Sequence, residues 1–443
     1  MAKVKMPTPD EITGMWQASG LKEKLIFTFV MIAVFRFGTQ IPIFGINQEA
    51  ITNLAGNNII SFLDLFSGGA LGRVSIFALG IGPYITASII MQLLTVVIPH
   101  LETLQKEEGE EGRRKISQYT RYFTVGLAAF QATIFMTFLS SQPGMISAGS
   151  NVPFVFAQSV VALSAGSVFI MWLAELITEK GIGNGGSMLI FISIISGIPV
   201  YMRQTAQLVA PNPASQFALV ILLLIFLATI FLIVIMQEAV RKVIIVNAKR
   251  QVGNKVYGGV NTHIPFKLNP GGVMPIIFAV AILLFPTTIV GAITPNLPPG
   301  IMQDIATFIT TTLLNPAGIP YYAIYFLLIV ALTFFYASIM PNMQPKEIAN
   351  NLKKYGSSIP GIKPGKPTAD VIDQILGRTI FIGAMGLGII ALIPGLASQA
   401  TGITTLQGLG ATTLIIMVGV ALDFINQIKT HLLVRQYEGF LKQ

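Results

Sequence analysis

The chain has 443 residues, 53% of them apolar and only 11% charged, against about 25% charged in a soluble globular protein. With a mean hydropathy of +0.71, it carries far more apolar surface than one water-soluble core buries, which excludes an ordinary soluble enzyme. Lys and Arg outnumber Asp and Glu by 28 to 19, for a net charge of +9. No cysteine occurs and the three histidines (His100, His263, His431) are scattered, so the sequence offers no disulfide frame, thiol nucleophile or histidine metal cluster.

In chain order, residues 1–24 mix Lys3, Lys5, Lys22 and Lys24 with Asp10, Glu11 and Glu23 and read as a cytosolic amphipathic lead-in, not a cleavable signal. Apolar runs come next, near 25–45, 75–98, 121–140, 153–174, 184–202, 216–236, 273–293, 317–340, 375–394 and 408–428. Each run is near the ~20 residues that cross a hydrocarbon core of about 30 Å as a helix. An all-α protein that spans the membrane ten times is therefore expected. Of the 28 Lys and Arg, 24 lie in the N-tail, in 99–121, 175–183, 237–272 and 341–371, and after 428, whereas the alternate connections hold only Arg73 and Arg203. Basic residues stay on the cytoplasmic side when short loops are threaded, so both termini are expected in the cytosol and the net charge requires no nucleic acid. Residues 203–215, with Pro211 and Pro213, divide the spans into two sets of five, 25–202 and 216–428, leaving 429–443 as a cytosolic tail. An odd number of spans per set makes the second insert inverted, a frequent plan in transporters.

Between the first two long runs lies a patch too short to span, Ile59–Phe66, succeeded by Ser67, Gly68, Gly69, Ala70, Leu71, Gly72 and Arg73. Two readings are open. A half-helix that enters and turns back needs an internal cavity around its irregular backbone, whereas an interfacial helix would rest on the outer surface. The string Gly181-Ile182-Gly183-Asn184-Gly185-Gly186 spells G-x-G-x-x-G, but a membrane helix precedes it and residues 187–202 are apolar, so the dinucleotide reading is rejected. Its glycines instead suit a tight turn, with Asn184 capping the next helix. Arg36, Asp64 and Asp423 are the candidates for intramembrane charge. They mark either ion coupling or end-of-helix snorkelling and local pairing. Residues 237–272 alternate apolar and polar residues about a Gly-Asn tip, which predicts a projecting hairpin, and 341–371 read as a short helix and then a turn-rich basic segment. These loops serve either as positive-inside anchors or as docking sites for an acidic or phosphate-rich partner.

Several strings, taken together and in order, resemble the SecY family of protein-conducting channels: FSGGAL (66–71), IFALGIGPYITASIIMQLL (76–94), EGRRKISQYTRY (111–122), ITEKGIGNG (177–185), AKRQ and THIPFKLN (248–251, 262–269), and ANNLKKYG and PGIKPG (349–356, 360–365). The similarity extends from about residue 20 to residue 440. The resemblance implies two inverted five-helix halves around a central pore, with 59–73 as a re-entrant plug that includes Phe62, Asp64, Phe66, Ser67, Gly68, Gly69 and Arg73. It implies a waist ring at Ile81, Ile85, Ile190, Ile277 and Ile416, with a sixth position at Gly186, and a lateral gate between the second and seventh spans at Thr86, Gln92 and Phe285. It implies partner docking at Arg250, Lys255 and Lys363, where the family usually has Arg at the last. The implied partners are the small membrane subunits SecE and SecG, the motor ATPase SecA, the ribosome, unfolded polypeptides bearing signal sequences, and membrane lipids, in a bacterial cytoplasmic membrane. No metal or cofactor is implied, and no direct reading of nucleic acid. Flexible aliphatic side chains suit such a pore, because they close around any sequence and exclude ions by dewetting. The rivals are a secondary carrier of small solutes, which needs a midplane ionisable site, and an intramembrane enzyme, which needs a nucleophile paired with a base. A nucleotide-hydrolysing subunit would need a P-loop, and the sequence has none.

Overall fold

The computed structural model describes residues 20–48, 50, 64, 67–106, 108–142, 144–146, 151–211, 213–247, 250–252, 255–257, 261–294, 300–313, 315, 318–340, 343–403 and 410–441. A helix coincides with each of the ten apolar runs: α1 (Leu21–Gly38), α2 (Gly82–Val97), α4 (Gly109–Ser140), α5 (Val152–Lys180), α6 (Gly185–Val209), α7 (Pro213–Glu238), α8 (Met274–Ile293), α10 (Ile319–Ile339), α12 (Lys366–Thr401) and α13 (Ala411–Leu441). Short helices α3 (Pro99–Lys106), α9 (Ile301–Phe308) and α11 (Pro345–Lys354) lie between them. Among the described residues, α4, α5, α6, α7, α10, α12 and α13 are each long and apolar enough to cross a membrane by themselves. Helix α2 is bent by 104° against α3 at Pro99, and α8 contributes a shorter apolar stretch, Met274–Leu283. The first helix carries Lys22, Glu23 and Lys24 at its start and Arg36 in its last turn, so its apolar length lies between them. Helices that satisfy their own backbone while exposing Leu, Ile and Phe are stable in lipid and not in water. The chain is a multi-pass membrane protein.

The second span differs from the sequence reading. It begins at Gly82, seven residues later than expected, because 68–81 run through turns. Ser75 bridges Pro42, its N–H bonds the Ala70 carbonyl at 2.9 Å, and Ile76 N–H bonds the Ile41 carbonyl at 3.0 Å. Those contacts give the backbone partners outside a helix, which a reading of apolar length cannot foresee.

The chain forms two compact units, one of residues 1–208, 284–311 and 416–443, the other of 209–283 and 312–415. In the first, Leu71, Val74 and Ala78 from the turn region pack with Ala132 and Met136 of α4 and Leu163 of α5. In the second, strands β1 (Val240–Asn247) and β4 (Asn261–Lys267) pair antiparallel from Val240↔Lys267 to Val246↔Asn261. Beyond them β2 (Arg250–Val252) pairs β3 (Lys255–Tyr257), with Val252 opposite Lys255. This is the hairpin expected from the Gly-Asn tip. Strand β5 (Ser357–Ser358), from the other large loop, adds to the free edge of β1 through Val246↔Ser358 and Asn247↔Ser357. Val243, Phe266, Leu352, Ile359, Ile372 and Leu376 fill the core beneath, so residues 237–272 and 341–371 build one body.

Candidate pore and plug site

The stretch read as a plug is described at Asp64 and from Ser67 onward; Phe62 and Phe66 lie outside the described residues. Asp64 organises the turn at 67–72. One of its carboxylate oxygens accepts the Gly72 N–H at 2.8 Å and stands 2.9 Å from Ser67 Oγ, while Ser67 Oγ accepts the Leu71 N–H at 2.9 Å. The Asp64 carbonyl takes the Gly69 N–H at 3.1 Å. Gly68 and Gly69 have φ of +70° and +88°, values that a residue with a Cβ adopts at a cost. The doublet in FSGGAL is thus a turn, closed by one carboxylate. Arg73 at its end is exposed. Arg36 reaches the same turn, its Nη1 donating to the Gly68 carbonyl and to Ser196 Oγ of α6, both at 2.8 Å. Arg36 and Asp64 thus each hydrogen-bond the backbone of this turn.

Of the ring candidates, Ile81 is the N-cap residue of α2 and 6% exposed, and Ile85 is half-buried one turn further on. Ile190 on α6, Ile277 on α8 and Ile416 on α13 are buried. Ile81 and the sixth position come together: Ile81 Cδ1 stands 3.5 Å from where a Gly186 Cβ would be. That is an ordinary van der Waals separation, and Asn184 Oδ1 lies nearer, at 3.3 Å from the same point.

The glycine turn at 181–186 is a junction of helices. Four backbone donors around it meet side-chain oxygens: Ile182 N–H meets Thr28 Oγ1 of α1 at 3.1 Å, Gly183 N–H meets Gln427 Oε1 of α13 at 2.7 Å, Gly185 N–H meets Thr178 Oγ1 of α5 at 2.8 Å, and Ser187 N–H meets Asn184 Oδ1 at 3.1 Å. The last is the expected N-cap. Those four donors are engaged within the chain. Leu21, Leu25 and Ile182 pack there with Phe424, Ile428 and Leu432.

Among the gate candidates, Thr86 bonds its own helix at Gly82 O (3.1 Å) and Gln92 Nε2 reaches Ser88 Oγ at 3.3 Å. Phe285 falls in α8 immediately before Pro286. Arg250 and Lys255 lie on β2 and β3 at either side of the hairpin tip. Lys363 is exposed in the turn after β5, with its carbonyl accepting Thr368 Oγ1 at 2.8 Å. Strand β5 thus brings the two basic loops to the same small sheet. Thr28, Thr178 and Gln427 escaped the sequence reading because a threonine or glutamine in an apolar helix carries no signal of its distant partner. Ser196 escaped it for the same reason.

The SecY family model matches residues 75–425. The protein translocase subunit SecY of Synechocystis is 44% identical, covering 100% of this chain and 99% of the relative. That of Thermotoga maritima is 43% identical, covering 97% and 98%. A solved protein-conducting channel shares the fold at a TM-score of 0.64 and 18% identity, covering 93% of this chain and 92% of the other. Sec61 in the canine ribosome-channel complex does so at 0.61 and 17%, with the same coverage. With matched identity along the full length of both partners, and with helices at all ten apolar runs, this chain belongs to the SecY family.

Proposed function

We propose that the chain is the pore-forming subunit of a bacterial protein translocase, passing unfolded secretory proteins across the cytoplasmic membrane and releasing apolar segments sideways into lipid. The observation that carries this reading is the 64–81 segment. It succeeds a stretch too short to span, contains a turn held against α1 and α6, and leads into Ile81, whose Cδ1 lies 3.5 Å from where a Gly186 Cβ would be. Residues 59–73 act as the plug, and Ile81, Ile85, Ile190, Ile277 and Ile416 as the gasket, their branched side chains closing around any passing sequence. A SecY protein of known structure has a plug domain that stabilises the closed state of its channel and maintains a membrane seal. The two five-helix halves, 25–202 and 216–428, open laterally between α2 and α8. A signal segment of about 7–15 apolar residues then leaves the pore because burial of its surface in lipid is favoured by about 25 cal/mol per Å².

The subunit performs no chemical step, and energy comes from its partners. Solved relatives stand on ribosomes, and the two loops that carry Arg250, Lys255 and Lys363 suit either a ribosome or a soluble motor ATPase. Small membrane subunits complete the complex, and both termini lie in the cytosol. A small-solute carrier is the weaker reading, since Arg36 and Asp64 are spent on backbone groups.

The test is transport by the purified complex in liposomes, with a signal-bearing precursor and the motor on the outside. Protease-protected precursor is expected, and none when the signal's apolar run is replaced by serines. Saturable uptake of a small solute without precursor transport would overturn the assignment.

A further inference from the structure

The turn at the end of the proposed plug is held by one cation, Arg36. Arg36 closes an otherwise apolar stretch of α1, and a guanidinium at membrane depth persists only with hydrogen-bond partners. Its Nη1 carries two N–H groups. One goes to the Gly68 carbonyl and one to Ser196 Oγ, each at 2.8 Å. Ser196 gives its own hydrogen to the Ser193 carbonyl at 2.7 Å, so its lone pairs are left for Arg36. The fit is close, since a Cβ on Gly68 would stand 3.1 Å from Ser193 Cα and 3.2 Å from Arg36 Nη1. Three chain segments, the end of α1, the turn and α6, thus meet at one nitrogen.

We propose that Arg36 is the latch of the closed channel: a positioning residue that keeps the 64–73 turn seated against α6 and lets go when the plug moves. The proposal rests on the reading of 59–73 as the plug. The two bonds divide the work. The Gly68 carbonyl belongs to the segment that leaves, whereas Ser196 belongs to the wall that stays, so release costs one bond while the cation retains the other. The seat is thereby reversible. The sequence alone leaves Arg36 as one of three candidates for intramembrane charge, and only the 2.8 Å bonds assign it a moving and a fixed partner.

The experiment uses the full chain with its membrane subunits in liposomes, without substrate. Resting ion conductance is read for Arg36→Met, Ser196→Ala, Arg203→Met and a deletion of residues 60–70. The absence of native cysteine also permits a direct readout, the rate at which Leu71→Cys, buried beside the turn, is modified by a membrane-impermeant maleimide. Arg36→Met is expected to raise both conductance and modification rate by about tenfold, as loss of a charge-assisted bond implies. Ser196→Ala raises them less, and Arg203→Met, an exposed cation on α6, leaves them unchanged. Parental values for Arg36→Met in both readouts, in a protein whose deletion variant leaks, overturn the latch and leave the plug standing. A deletion variant no leakier than the parent overturns the plug and the latch together. Should Arg36→Met fail to accumulate, Ser196→Ala decides: a modification rate equal to the parent's overturns the latch.

Discussion

Asn184 shows how much one side chain does in this fold. Its Oδ1 takes the Ser187 N–H at 3.1 Å while its carbonyl takes Met188 N–H at 2.9 Å, closing the first turn of α6. Asn184→Ala removes the cap and is expected to cost about 1 kcal/mol, read as a lower Tm of the detergent-purified complex. Gly185 beside it is under a harsher constraint, since a Cβ there would stand 1.9 Å from the Ala174 carbonyl oxygen. A backbone oxygen within α5 cannot yield, so Gly185→Ala is expected to cost about 3 kcal/mol and to lower the amount of chain in the membrane. A Gly185→Ala protein as stable as Asn184→Ala would show that α5 and α6 do not approach that closely. Both effects sit at the junction where Thr28, Thr178 and Gln427 supply acceptors, which makes the GIGNGG string a helix junction by chemistry as well as by spelling.

At the scale of elements, the β4-β1-β5 sheet is the test case. Strand β5 has only two residues on β1, too little hydrogen bonding to dock a loop by itself. Its hold comes from Ile359, 8% exposed, packed with Val243, Phe266 and Leu352. Ile359→Ala is expected to cost about 2–4 kcal/mol through the cavity left behind. Limited proteolysis should then cut within 341–371 first, with the ten helices still inserted; cleavage equal to the parent's would refute the anchoring role of Ile359. The two loops that meet at this sheet also carry the basic positions, Arg250 on β2 and Lys363 after β5. Reversing Arg250 and Lys363 to Glu is expected to weaken ribosome or motor binding by tenfold or so through like-charge repulsion, more at low than at high salt. Binding unchanged at both salts would reduce the loops to topology anchors.

At the scale of the whole molecule, the function requires a wall that opens sideways. If α2 and α8 are its lips, cysteines placed at Thr86 and Phe285, or at neighbouring pairs, can be joined wherever the Cα atoms come within about 7 Å. The chain has no native thiol to compete. A closed crosslink is expected to stop secretion and membrane insertion alike, and reduction to restore both. Full secretion through a confirmed crosslink would refute lateral opening.

The features that the residues dictated unaided are imposed by the solvent: apolar runs of spanning length, Lys and Arg sorted to alternate connections, and a Gly-Asn tip are local patterns, each enforced by a cost that the chain bears wherever it folds. Ten helices, the hairpin and the Asn184 cap were legible for that reason, and the family strings named the rest of the plan. Tertiary structure alone decided the late start of α2 at Gly82, the third strand that joins two loops into one body, and the partners of Arg36, Asp64, Thr28 and Gln427. These depend on which distant backbone groups lack a partner. A carbonyl at Gly68 or an N–H at Gly183 has no mark in the sequence, and becomes a binding site for a side chain 32 or 244 residues away only when the helices have packed.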